Sequence, residues 1–259
     1  MKNTNHKKIL TILSLFVAFV LWTIAIRYCD VQAIGPENSS VGFAHLNGFF
    51  HNVTGEHMLL YTITDWLGLI PLCTVLYFGF WGFLQLCKRK SLKKVDRDLL
   101  ILGGFYILVM AAYLFFEIVP INYRPVLIDG CLEASYPSST TLLVLCVMPT
   151  ALMQLHSRIK NITVRNILAS ILSIFTIFMV IARLISGVHW LTDIIGGILL
   201  SAALVMLYHM INSQKKPNNS FPVFPSQSSE TQSVETPYNV LQDIVCTSLN
   251  ALPERKLTC

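Results

Sequence analysis

Six stretches of the chain carry almost nothing but apolar side chains, and each approaches the ~20 residues a helix needs to cross a bilayer. They cover positions 9–26, 66–86, 99–116, 140–155, 167–185 and 190–211. The fourth is short, so it is expected either to tilt little or to begin inside the loop before it. The longest gap, 28–64, opens with the turn formers Gly35-Pro36-Glu37-Asn38-Ser39-Ser40. It continues, from Phe43 to Tyr61, as a mixed apolar and histidine-bearing stretch that predicts an amphipathic helix lying along lipid headgroups. Beyond the last run the pattern disappears. Residues 213–259 are rich in Ser, Thr, Asn, Gln and Pro, and only a short segment, 238–252, keeps a weak amphipathic character. Such a composition buries too little apolar surface to fold, so a disordered cytoplasmic tail is expected. The predicted architecture is all-α: a short cytoplasmic N-terminus (1–8), a six-transmembrane-helix bundle (9–212) and the tail (213–259).

Composition agrees. With 54% hydrophobic and 13% charged residues, the chain is too apolar for a soluble domain of 259 residues. The first apolar run ends in Ile26-Arg27-Tyr28 without a small-x-small cleavage site, which predicts a retained span rather than a signal peptide. The net charge of +5 comes from basic loops and does not point to nucleic acid. Lys2, Lys7 and Lys8, the run from Lys88 to Arg97, the Arg158 to Arg165 loop and Lys215-Lys216 share one membrane side. Only Arg27, Arg124 and Arg183 are assigned to the other. The positive-inside rule then puts both termini in the cytoplasm and these three arginines outside, in a protein expected in the cell membrane. A shared anion accounts for Arg124 and Arg183 in loops otherwise nearly free of basic residues.

Seven cysteines follow no metal or redox spacing, and His45, His51 and His57, six apart, follow no metal pattern either. Neither a metal nor another cofactor is expected. Cys29 and Cys131 share only sidedness, and are expected to stay unpaired.

Chemistry concentrates in Arg183-Leu-Ile-Ser-Gly-Val-His189-Trp-Leu-Thr-Asp193, where three ionisable side chains stand between two apolar runs. Ionisable groups at a membrane boundary need a partner, water or a ligand. At i and i+4 of a helix, Asp193 would fix the tautomer of His189 and steady its charged form, while Arg183 offers a planar fork to phosphate oxygens. The plain alternatives are a snorkelling arginine and a His-Asp capping contact. A second polar segment, Glu117 to Ser139, carries Arg124, Asp129, Glu133 and Tyr136, with Pro120, Pro125 and Pro137 predicted to hold it in fixed turns. Ser138, Ser139 and Thr140 lead into the fourth span. They sit where hydroxyls cap a helix, and where its free N–H groups bind phosphate. Gly196 and Gly197 permit close helix packing.

These motifs resemble the type 2 phosphatidic acid phosphatase superfamily, whose members share K-x6-R-P, P-S-G-H and S-R-x5-H-x3-D. The resemblance covers roughly 66–211. It implies metal-independent hydrolysis of lipid phosphates or diphosphates. By it, His189 is the nucleophile that forms a phosphohistidine, Asp193 its orienting partner, and Arg124 and Arg183 phosphate clamps. Ser138, Ser139 and Thr140 fall in the second motif and would also line the phosphate. The sequence departs from the pattern at Glu117 for Lys, at Ser139 and Thr140 for Gly and His, and at Ala182 for Ser. The motif-two histidine is the family's leaving-group acid, and a threonine hydroxyl cannot replace it. A polyprenyl diphosphate would need little protonation; otherwise Asp129, Glu133 or Glu117 would supply the proton. The first reading is therefore a membrane phosphatase acting on a lipid phosphate or diphosphate among membrane lipids. The alternative is an inactive headgroup binder or lipid carrier on the same scaffold.

Overall fold

The computed structural model describes residues 2–213, with side chains from His6 onward. The expected tail and its 238–252 segment lie outside the described residues, apart from Ser213. Eight α-helices follow in order: α1 Lys2–Tyr28, α2 Ala44–Thr54, α3 Met58–Leu67, α4 Leu69–Arg89, α5 Arg97–Ile118, α6 Ser139–Arg158, α7 Ile162–Ile185 and α8 Leu191–Ser213. Among the described residues there is no strand longer than an isolated bridge.

Among the described residues six helices are long and apolar enough to cross a membrane, one of them formed by α3 and α4 running together through Gly68. The fourth span is a full helix of 20 residues starting at Ser139, and is not the short one that the apolar run suggested. Ser139 at one end and His156, Ser157 and Arg158 at the other extend the apolar run, and the core face between them carries polar side chains inward, with Thr150 and Gln154 buried there. Large apolar side chains cover the outside of the bundle, with Ile107 73% and Leu76 70% exposed. This inverts the arrangement of a water-soluble protein and suits a lipid-facing surface.

The single amphipathic helix expected over 43–61 is two helices. Gly55 takes a left-handed φ of +68° and ends α2, and the His57 N–H then donates to the Ser186 carbonyl at 3.0 Å. The chain is thereby tied to the α7–α8 turn before α3 begins. Gly187 in that turn has φ +72° and lies against the Gly55 backbone so closely that a Cβ would sit 2.0 Å from the Gly55 carbonyl oxygen. Glycine is required there on both counts.

The core lies between α1, α5, α6 and α8. Tyr136 stacks on Phe19 and meets Phe116 edge-on, and its hydroxyl shares a 2.7 Å hydrogen bond with Thr23. Its ring fits against α8 because position 196 has no side chain. A Cβ on Gly196 would come within 2.3 Å of it. At the opposite end of the bundle, the basic turn between α4 and α5 is organised by Asp96, which accepts from Arg89 at 2.8 Å and from Gln85 at 2.7 Å. Arg89 holds the Asp96 carboxyl below the usual carboxylate range.

Candidate active site

The segment between α5 and α6 folds back on itself as a small hairpin. Asp129 and Gly130 both have positive φ, 50° and 76°, and Ile128 and Cys131 exchange backbone hydrogen bonds of 3.1 and 2.8 Å across them. This is the geometry of a two-residue turn with an Asp-Gly pair. Further along the same ladder the Arg124 N–H donates to Glu133 O at 3.0 Å and the Ser135 N–H to Asn122 O at 2.9 Å. Arg124, Glu133 and Ser135 are thus neighbours because of the hairpin. Pro120 and Pro137 flank it and Pro125 lies in its first arm, but the turn itself is made by Asp129 and Gly130. The peptide between Tyr136 and Pro137 is cis.

The α7–α8 turn meets this hairpin from the other side. Asp193 is fully buried in the first turn of α8, where its Oδ2 accepts from the Trp190 N–H at 2.9 Å. This contact is half of a capping box. The Trp190 indole N–H donates to the Tyr123 carbonyl at 2.7 Å, which clamps the turn to the hairpin. Asn47 of α2 pins the same helix start, donating to Thr192 Oγ1 at 2.9 Å and accepting from the Thr192 N–H at 3.2 Å.

His189 precedes α8, so it does not pair with Asp193 as one helix turn on another. Its Nδ1 stands 3.9 Å from Asp193 Oδ2. The Ser135 hydroxyl fills the interval, 3.0 Å from Nδ1, and donates to Asp193 Oδ2 at 2.5 Å. Since that hydroxyl has one proton and gives it to the carboxylate, it accepts from Nδ1–H. The tautomer is thereby set: Nδ1 carries the proton and Nε2 carries the lone pair. Nε2 is buried and has no hydrogen-bond partner. Burial, and then the nearby charges of Arg124 and Arg183, hold the imidazole well below its ordinary pKa of 6.5. His189 is neutral at physiological pH, the form in which an imidazole nitrogen is nucleophilic.

Two arginines far apart in sequence converge on one aromatic ring. Tyr61 of α3 lies 4.8 Å from the Arg183 guanidinium carbon and 5.9 Å from that of Arg124. Arg183, 1% exposed at the end of α7, donates from Nη1 to Thr64 at 3.1 Å and has Asp65 at 4.0 Å. Its Nε has no partner. Arg124 Nε is 3.1 Å from Glu133 Oε2. The angle of that ion pair falls short of a hydrogen bond, and Arg124 Nε and Nη1 are both left without one. Buried guanidinium N–H groups without acceptors carry a desolvation penalty that an anion would relieve.

A cavity of about 230 Å³ lies over these groups, lined by Arg124, His189, Ser139, Tyr113, Glu117 and Glu133 among others. Of the three hydroxyl residues expected around a phosphate, Ser139 lines this cavity. Thr140 faces a neighbouring apolar cavity of about 410 Å³, shared with Leu69, Leu72 and Met110. Ser138 is the N-cap residue of α6, but its side chain makes no capping hydrogen bond and its buried Oγ has no partner. The capping role that its position suggests is not taken up. Its backbone N–H instead donates to the Asp193 carbonyl at 3.2 Å. Asp129 sits at the hairpin tip rather than on the cavity wall, whereas Glu117 and Glu133 are on it.

No group of three or more His, Cys, Asp or Glu side chains able to hold a metal occurs among the described residues. His45 pairs with Asp30 at 2.8 Å and His51 approaches Glu56 at 3.5 Å. Cys29 and Cys131 are free thiols. Ser135, Tyr61 and Thr64 had no signal in the sequence, because each becomes relevant only through tertiary placement.

Residues 104–217 match the model of the PAP2 superfamily. A solved structure similar to this chain is that of a transmembrane PAP2-type phosphatidylglycerolphosphate phosphatase from Bacillus subtilis. It is 18% identical, with a TM-score of 0.55, covering 80% of this chain and 98% of the other. That likeness shows a shared fold. No curated protein matches the chain.

Proposed function

We propose that this chain, whose residues 104–217 match the PAP2 superfamily model and whose apolar helices are long enough to cross a membrane, hydrolyses lipid phosphates through a phosphohistidine on His189. The observation that carries this reading is the chain Asp193–Ser135–His189, which leaves an unpartnered, neutral Nε2 beside two arginines with unpaired N–H groups.

In the proposed reaction the lipid phosphate enters the cavity with its oxygens toward Arg124, while Arg183 adds positive charge from behind the wall. His189 Nε2 attacks phosphorus, the ester P–O bond breaks, and the leaving oxygen takes up a proton from solvent water. The imidazole is then phosphorylated on Nε2 and positively charged, and its Nδ1–H points through the Ser135 hydroxyl to the Asp193 carboxylate. That relay stabilises the charge as it develops. Water next attacks phosphorus, the N–P bond breaks, and inorganic phosphate is released with His189 neutral again. The positive charge of Arg124 on the cavity wall, with that of Arg183 nearby, supplies electrostatic stabilisation of the loose phosphoryl transition state.

Thr140, at the position of the family's acid histidine, lines the adjacent cavity and supports no proton transfer. A leaving group that needs little protonation fits such a site: the phosphomonoester released from a lipid diphosphate, or an alkoxide whose charge is offset by a neighbouring cation. The positive-inside pattern supports a cavity on the extracytoplasmic face. The neighbouring apolar cavity shares Tyr113, Ser139 and Leu142 with the polar one and suits the acyl or prenyl chain.

The direct test is phosphate release by the purified protein in detergent from a panel of lipid mono- and diphosphates, beside His189→Ala. Release by the native chain and none by the variant supports the reading. Binding of the lipids without turnover by the native chain would favour a carrier.

A further inference from the structure

The wall of the polar cavity carries an unexpected balance of charge. A site for a multiply charged anion ordinarily surrounds it with cations, yet this cavity is lined by one arginine, Arg124, and two carboxylates, Glu117 and Glu133. Arg183 is not among its lining residues, and its Nη1 is engaged by Thr64. One of the carboxylates already occupies the arginine: Glu133 Oε2 lies 3.1 Å from Arg124 Nε.

A phosphate that engages Arg124 therefore arrives where Glu133 is. The carboxylate must give up its partner, and it then stands beside the incoming anion, with Glu117 on the same wall. For a ligand with only negative charge this is an exchange of one ion pair for another with added repulsion. A ligand that brings its own cation alters the exchange: its phosphate takes Arg124 while its cation takes the carboxylate that Arg124 released. The wall also offers ring surface, from Tyr113, Phe116 and Tyr136, of the kind that attracts ammonium groups.

We propose that the site selects phosphate esters whose alcohol carries an ammonium group close to the phosphate, held between Arg124 on one side and Glu133 with Glu117 on the other. This rests on the reading of the cavity as a phosphate site, and it ranks an amino-alcohol phosphate lipid above a polyprenyl diphosphate. The buried, unpartnered Arg124 Nη1 and His189 Nε2 mark the anion end independently of the carboxylates.

The test is equilibrium binding to the full-length protein in detergent of two soluble probes, 2-aminoethyl phosphate and ethyl phosphate, which differ in the ammonium alone. The expected result is at least ten-fold tighter binding of the amine-bearing probe. Glu133→Gln should reduce that preference to within about two-fold by tightening ethyl phosphate, since Arg124 is then released from its carboxylate, and Glu117→Gln should reduce it in part. Equal affinities, or tighter binding of ethyl phosphate to the native protein, would overturn the ammonium selection and leave the phosphate site standing. Binding of neither probe, when both variants retain the native melting temperature, would overturn the phosphate site and this selection with it.

Discussion

His189 Nδ1 and Asp193 Oδ2 stand 3.9 Å apart, and the hydroxyl of Ser135 bridges them with contacts of 3.0 and 2.5 Å. A residue of the hairpin thus holds the imidazole directly and links it to a carboxylate that also caps a helix. Ser135→Ala removes the bridge and leaves Nδ1–H without an acceptor. A hydrogen bond to a charged group is worth about 1.5–3 kcal/mol, so kcat is expected to fall on the order of 10- to 100-fold with KM little changed. Ser135→Thr, which keeps the hydroxyl, should retain more activity than alanine. Kinetics that are equal for native protein and alanine variant would remove Ser135 from the mechanism.

The environment of His189 sets a pH dependence. Burial and two guanidinium groups depress its pKa well below 6.5, so the folded protein keeps it neutral where the unfolded chain would protonate it. Turnover is expected to hold steady as pH falls through 6.5 and to be lost only well below it. Stability follows the opposite side of the same linkage. The unfolded state binds the extra proton first, so folding stability declines as pH drops below 6.5. In Arg124→Ala, with one repelling charge gone, the acid limb of the kcat/KM profile should move to higher pH. A native profile with its midpoint at the ordinary imidazole value would contradict this environment.

Tyr61 lies against both Arg183 and Arg124, which otherwise repel each other. A cation–π contact of this kind contributes about 0.5–2 kcal/mol. Tyr61→Leu should weaken phosphate or vanadate binding roughly 3- to 30-fold by inhibition measurements, and Tyr61→Phe should restore most of it. A leucine variant with native inhibition would show that the arginines are positioned without the ring.

Packing gives a separate prediction. Tyr136 is 1% exposed, fixed by Phe19, Phe116 and the Thr23 hydroxyl, so it has no room to retreat from a methyl group on residue 196. Gly196→Ala is expected to cost about 1–3 kcal/mol. Its signature is a lower melting temperature in detergent. An unchanged one would mean that α8 shifts to accommodate the methyl group.

How much of this was legible in the sequence depends on the range of the interaction concerned. The six spans were readable because each is a long apolar run whose length the bilayer dictates, and their ends moved where polar residues continued a helix, as His156, Ser157 and Arg158 do in α6. The Arg183, His189 and Asp193 constellation was readable because its spacing is local. The manner of contact was not, since it depends on Ser135, 54 residues before His189. The hairpin had a local signal, the Asp129-Gly130 pair, that the surrounding prolines obscured. Tyr61 and Thr64 were unreadable as arginine partners because α3 reaches α7 only after Gly55 and Gly187 bring two turns into contact.

The central claim is that His189 is a nucleophile, and covalent trapping tests it most directly. The native protein would be mixed with a lipid phosphate radiolabelled on phosphorus, quenched in alkali within the first turnovers, and mapped by digestion. The expected result is label on His189, stable in alkali and lost in acid, and absent from His189→Ala. Steady phosphate release by the native protein with no label on that histidine, or undiminished release by the alanine variant, would contradict it.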